Sequence, residues 1–149
     1  MALSSRWLVS SDWLAKRLGN PDVVVVDGSY YLATAKRDAR QEYLAEHIPG
    51  AMFFDIDAIA DDSTDLPHML PGPTAFGETV GALGIGRADT IVVYDGAGLY
   101  SAARVWWTFR LFGAEKAYIS TAACHSGRPR GVRLNPAKSC ARPASSRPR

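Results

Sequence analysis

The chain has 149 residues, 47% of them apolar, enough for one domain with a real core and too few for two ordinary ones. No apolar run approaches the roughly 18 residues of a membrane span, and Met1 to Val9 lacks the apolar core of a signal peptide, so a cytoplasmic protein without a membrane partner is expected. The net charge of +2 hides two unlike parts: residues 1–120 carry 10 Lys/Arg and 15 Asp/Glu, whereas residues 121–149 carry 7 Lys/Arg and no acid, which gives no support to specific nucleic-acid binding by the acidic body.

In chain order, Trp7 to Val9 is a short strand candidate. Ser10 or Ser11 can cap a helix in which Trp13, Leu14 and Leu18 form the apolar stripe, ended by Gly19-Asn20-Pro21. Val23 to Val26, closed by Asp27, is apolar on both faces and belongs in a sheet covered by helices on either side. Gln41 to Glu46 can form a short helix, and His47-Ile-Pro-Gly50 turns the chain into Ala51 to Ile56, a third strand candidate. An acidic loop, Asp55 to Asp65, leads into Leu66-Pro-His-Met-Leu-Pro-Gly-Pro73, whose prolines make it stiff. Phe76, Val80 and Leu83 share one face of a helix ended by Gly84, and Ala117 to Ile119 begins a fifth strand.

Between the last two stands the stretch on which the chain is organised. Ile91 to Tyr94 is an apolar, β-branched run that reads as a buried strand. Asp95-Gly96-Ala97-Gly98-Leu99-Tyr100 is a tight turn, after which Ser101 can cap a helix running to Phe112 and stopped by Gly113. Strand, turn and helix N-terminus place backbone N–H groups at the carboxyl edge of a sheet, a cradle suited to an anion. The turn lacks a nucleophile, because its first position is Asp95. The elements together predict an α/β sandwich with a mainly parallel five-stranded sheet.

After Ser120 the pattern collapses into Arg, Pro, Ser, Ala and Cys, a composition that builds no core, so a disordered basic tail is expected over 121–149. Cys124, with His125 beside it, and Cys140 match no zinc or redox spacing, and neither a metal nor a cofactor is implied. The fold still needs a last covering helix at this point. Read one nucleotide earlier from the last base of the Ile119 codon, suitable synonymous codons for Ser120 to Val132 yield Leu-Asp-Gly-Gly-Leu-Pro-Gln-Trp-Glu-Ala-Glu-Gly-Arg, a strand end, a turn and a helix start. The expectation is that the tail is out of frame, that the last covering helix is missing, and that the chain is marginally stable.

Several segments carry a family resemblance: Val26-Asp-Gly-Ser-Tyr-Tyr31, His47-Ile-Pro-Gly-Ala51, Phe53-Phe-Asp-Ile-Asp57, Leu66-Pro-His-Met-Leu-Pro71, Val93-Tyr-Asp-Gly96 and Ser101-Ala-Ala-Arg-Val-Trp-Trp107. Over about residues 6–120 the chain resembles the first half of the two-domain rhodanese-type sulfurtransferases, the thiosulfate/3-mercaptopyruvate branch. The resemblance implies a rhodanese-like three-layer sandwich and a parent activity that moves sulfane sulfur from 3-mercaptopyruvate or thiosulfate to cyanide or a thiol through a cysteine persulfide. It also implies that this domain, over residues 1–120, is the non-catalytic half, with the cysteine supplied by a second domain from a loop equivalent to Asp95–Tyr100. Asp57 and His68 correspond to cleft residues that, in the mercaptopyruvate branch, join a serine of the catalytic loop in a proton relay, an orienting carboxylate fixing an imidazole.

His47 reads as structural, fixing the turn before Pro49. Arg104 and Arg110 lie six apart on one helix and read as surface or inter-domain groups, and of Trp106 and Trp107 one packs in the core while the other meets a helix or the second domain. Three functions compete: a sulfurtransferase half without its catalytic cysteine and so inactive alone; a non-catalytic module binding a protein or an anion at the Asp95–Tyr100 loop; and, least supported, a single-domain enzyme using Cys124 or Cys140, neither of which sits on a short strand-to-helix loop.

Overall fold

The computed structural model describes residues 5–97 and 99–121 and, for the backbone alone, 135–136. Five strands form one sheet: β1 (Leu8–Val9), β2 (Val23–Asp27), β4 (Met52–Phe53), β5 (Thr90–Tyr94) and β6 (Ala117–Ser120), in the order β1-β6-β5-β2-β4 with every neighbouring pair parallel. A separate two-stranded ladder joins β3 (Glu46–His47) antiparallel to β7 (Asn135–Pro136). The expected Cys124, His125 and Cys140 positions and the site of the last covering helix lie outside the described residues.

The β-branched runs become strands because successive side chains point to opposite faces and both faces are covered. On one face Val24, Val26, Ile91, Val93 and Ile119 pack against Phe54, Phe76, Val105 and Phe109, under α3 (Ile56–Ile59), α4 (Pro73–Ala82) and α5 (Tyr100–Leu111). On the other, Val25, Val92 and Tyr94 pack against Leu14 and Ile48, under α1 (Ser11–Ala15) and α2 (Ala39–Ala45). The result is a helix–sheet–helix sandwich, mainly parallel as the sequence predicts. Right-handed crossovers explain the division: the chain moves one way across the sheet up to β4 and the other way from β5. Adjacent β2 and β5 therefore lead away in opposite directions, and the crevice at their carboxyl ends is the place where such sheets hold their chemistry. Asp27 ends β2 opposite Tyr94, and Asp95 follows directly.

Several boundaries differ from the sequence reading, each for a local reason. The strand expected over Ala51 to Ile56 shrinks to Met52–Phe53, because the Asp55 carboxylate accepts from the N–H groups of Asp57 and Ala58, both at 3.1 Å, and starts α3. The helix placed at Gln41 to Glu46 starts earlier, since the Asp38 carboxylate caps Gln41 N–H at 3.0 Å. Ser10 caps α1 through Trp13 N–H, and the helix closes at Ala15, short of Leu18. In α4, Phe76 and Val80 face the core, and Gly84 ends the turn at φ 75°, a conformation that favours glycine. Among the described residues no helix is long and apolar enough to cross a membrane.

Gly28 lets α5 approach the end of β2. Its N–H donates to the Tyr94 carbonyl at 2.8 Å, and a Cβ built there would lie 2.9 Å from Val105 Cγ2 and 3.1 Å from Val93 Cγ1. Gly28→Ala is expected to cost about 1–3 kcal/mol in denaturant unfolding. In a Val105→Ala background, which removes the nearest atom, the penalty should shrink; equal penalties in both backgrounds contradict the packing described.

Candidate functional site

The loop after β5 does form a cradle of N–H groups, and its occupant is the loop's own carboxylate. Asp95 is 1% exposed. Its Oδ1 accepts from Ala97 N–H at 3.0 Å and Leu99 N–H at 2.9 Å, and its Oδ2 accepts from Ala102 N–H at 2.7 Å in the first turn of α5. An ionised carboxylate accepting from a helix N-terminus is favourable for both charge and hydrogen bonding. Leu99, at φ 75°, turns the backbone so that these donors converge. Ser101 is therefore not the helix cap the sequence suggests: α5 begins at Tyr100, and the Ser101 hydroxyl lies 3.4 Å from Asp95 Oδ2 while accepting from Tyr30 N–H at 3.0 Å.

A second buried carboxylate lies beneath. Asp27 Oδ1 accepts from the N–H of Ser29 at 2.9 Å and from its hydroxyl, and the same hydroxyl oxygen accepts from Gly96 N–H at 2.9 Å. Burial pushes the Asp27 carboxyl above the ordinary carboxylate value, with the nearby Asp95 charge adding to the rise and the bonds from Ser29 and Tyr94 opposing it. Asp27, Ser29, Gly96 and Asp95 thus form one polar chain linking β2 to the loop after β5.

Asp57, in α3, and His68, in the proline-rich loop, are brought together: His68 Nδ1 lies 2.9 Å from Asp57 Oδ1. The contact is close but lacks hydrogen-bond alignment, and among the described residues Nδ1 has no hydrogen-bond partner. The other ring nitrogen, Nε2, lies 3.1 Å from the Tyr30 hydroxyl, with the two rings edge-on at 4.9 Å between centroids. His68 adopts a left-handed backbone, φ 57°, and its carbonyl accepts from the Arg104 guanidinium. Tyr30 is the residue sequence reasoning missed. Its position just past the Asp27-Gly-Ser end of β2 was the available signal, but its partner lies 38 residues away.

The remaining candidates have duties within the domain. Arg104 also lies over the exposed Trp107 ring, 5.3 Å from its centroid. Arg110 donates to the carbonyls of Ala114 and Glu115 and stacks on Trp7, closing the turn into β6. The half-buried Trp106 donates its indole N–H to Ala117 O at 2.8 Å. His47 is buried, stacked on Tyr43 with Nδ1 2.7 Å from the Tyr43 carbonyl, which fixes the turn before Pro49.

A parallel five-stranded sheet with this order, and a cradle-forming loop between its central strand and the following helix, defines a rhodanese-type α/β domain. The rhodanese-like domain model matches residues 10–122, and the chain belongs to that family. The sequence is similar to thiosulfate/3-mercaptopyruvate sulfurtransferase 2 of Arabidopsis thaliana, 54% identical over 112 residues, covering 75% of this chain and 33% of that protein. It is also similar to the 3-mercaptopyruvate sulfurtransferase of Escherichia coli (strain K12), 42% identical over 118 residues, covering 78% of this chain and 42% of that one. Among solved structures, SseA from Escherichia coli matches at a TM-score of 0.73 and 42% identity over 78% of this chain and 45% of its own, and Tum1 from Saccharomyces cerevisiae at 0.77 and 32% over 89% and 44%. The chain thus spans less than half the length of these relatives.

The raised Asp27 fixes a sign. An acid whose folded value lies above its unfolded value holds its proton more tightly when folded, so its contribution to stability falls as pH rises through that window. Compared with the unsubstituted chain, Asp27→Asn should therefore lose less stability between about pH 4 and pH 7. Parallel melting-temperature profiles for the two proteins contradict this.

Proposed function

We propose that these residues form the non-catalytic half of a two-domain sulfurtransferase, with the sulfur-carrying cysteine supplied by a domain outside this sequence. The observation that carries the reading is Asp95. A rhodanese-type loop stabilises a thiolate with converging backbone N–H groups, and that thiolate attacks the outer sulfur of the donor, keeps it as a persulfide and passes it to cyanide or another thiol. Here the donors of Ala97, Leu99 and Ala102 are bonded to a carboxylate, which neither accepts nor hands on sulfane sulfur. The names of the relatives support 3-mercaptopyruvate or thiosulfate as the parent donor.

What this half contributes, on that reading, is the Asp57–His68 pair. It sits at the carboxyl edge of the sheet with the histidine partly exposed, where an imidazole can exchange a proton with a hydroxyl or thiol arriving from the second domain. Of the alternative, a non-catalytic module binding a protein or an anion at this loop, the anion arm finds the cradle's N–H groups at Ala97, Leu99 and Ala102 already taken.

The direct test incubates the purified 149-residue chain with thiosulfate or 3-mercaptopyruvate and cyanide. The expected result is no thiocyanate above the protein-free blank and no persulfide by mass on Cys124 or Cys140; turnover by the chain alone overturns the reading. The out-of-frame origin of residues 121–149 belongs to the same proposal, and the family match ending at residue 122 supports it. Sequencing the gene from the Trp107 codon past its stop should show codons compatible with Leu-Asp-Gly-Gly in the shifted frame, followed by a domain with a cysteine loop. Codons that cannot give that reading refute the shift.

A further inference from the structure

Among the described residues His68 is held at three points, and one of them sets how the ring is turned. Arg104 fixes the carbonyl and with it the left-handed backbone, which places the ring without orienting it. Asp57 comes within 2.9 Å of Nδ1 but without hydrogen-bond alignment, so it supplies charge more than direction. The Tyr30 hydroxyl meets Nε2 within hydrogen-bond distance, 3.1 Å, and the Tyr30 ring packs edge-on against the imidazole.

We propose that Tyr30 is a positioning residue for His68: its hydroxyl donates to Nε2 and holds the imidazole as the Nδ1–H tautomer facing Asp57. The assignment follows from donor and acceptor capacity. Nδ1 and Asp57 Oδ1 lie 2.9 Å apart, a distance at which two facing lone pairs repel, so the nitrogen beside Asp57 carries the ring proton even without hydrogen-bond alignment; Nε2 then offers a lone pair, and the phenol is the donor. Tyr30 is itself anchored, since its N–H donates to Ser101 Oγ beside the Asp95 cradle, so the ring orientation of His68 is tied to the closed loop.

The consequence for catalysis rests on the reading of Asp57 and His68 as cleft residues: a group from the second domain that exchanges a proton with Nε2 must share that nitrogen with Tyr30 or displace it. The tautomer does not depend on that reading. Imidazole ¹⁵N NMR of the 149-residue chain, which has three histidines, measures it directly. The unsubstituted chain should show His68 with the proton on Nδ1. Tyr30→Phe keeps the edge-on ring and removes the donor, and should raise the Nε2–H to Nδ1–H ratio about fivefold, the equivalent of one ordinary hydrogen bond. An Nε2–H ring in the unsubstituted chain overturns the proposal. So does an unchanged ratio in a Tyr30→Phe protein whose amide spectrum is otherwise native. If Tyr30→Phe fails to fold, the tautomer of the unsubstituted chain still decides. Sulfur transfer by the chain alone would sink the functional reading and leave this result standing.

Discussion

The buried carboxylate of Asp95 is the constraint from which the rest of the site follows. A turn of this kind directs several backbone N–H groups at one point, and in a nearly water-free place those donors need an acceptor. Asp95 supplies it from within, joining β5 to the first turn of α5 through Leu99 and Ala102. Ser101, freed from capping, holds Tyr30, and Tyr30 reaches His68. Below the loop, Gly96 is bonded to Ser29, and Ser29 to Asp27. One side chain thus organises both the loop and the edge residues around it.

On the reading proposed, a rhodanese-type scaffold is kept here without its chemistry. A carboxylate and a thiolate are both anions, so either satisfies the cradle electrostatically. Only the thiolate can carry sulfur. Asp95 gathers the N–H groups of the loop and ties them to the first turn of α5, and on the reading proposed leaves the half to contribute edge groups to a cleft completed by another domain.

The strands were legible where the signal was strong and local. Val23 to Val26 and Ile91 to Tyr94 are runs apolar on both faces, which only a covered parallel sheet accommodates, and Phe76 and Val80 marked the buried face of α4. Ala51 to Ile56 misled because a short apolar run does not distinguish strand from helix, and the Asp55 cap decided the matter. The role of Asp95 was hidden for a different reason. Its bond to Ala102 spans seven residues, outside the spacing of an ordinary N-cap, so Ser101 looked like the capping residue. Asp57 and His68 came from family resemblance alone, and Tyr30 from neither source, because contacts across 38 residues leave no local pattern.

The most direct measurement of the Asp95 account is a titration of the 149-residue chain with sulfate, followed at the backbone amides of Ala97, Leu99 and Ala102. If the carboxylate fills the cradle, these amides stay protected from exchange and their resonances do not move as the anion is added. A saturable shift confined to these three amides would mean that the cradle is open to external anions, and would contradict the account.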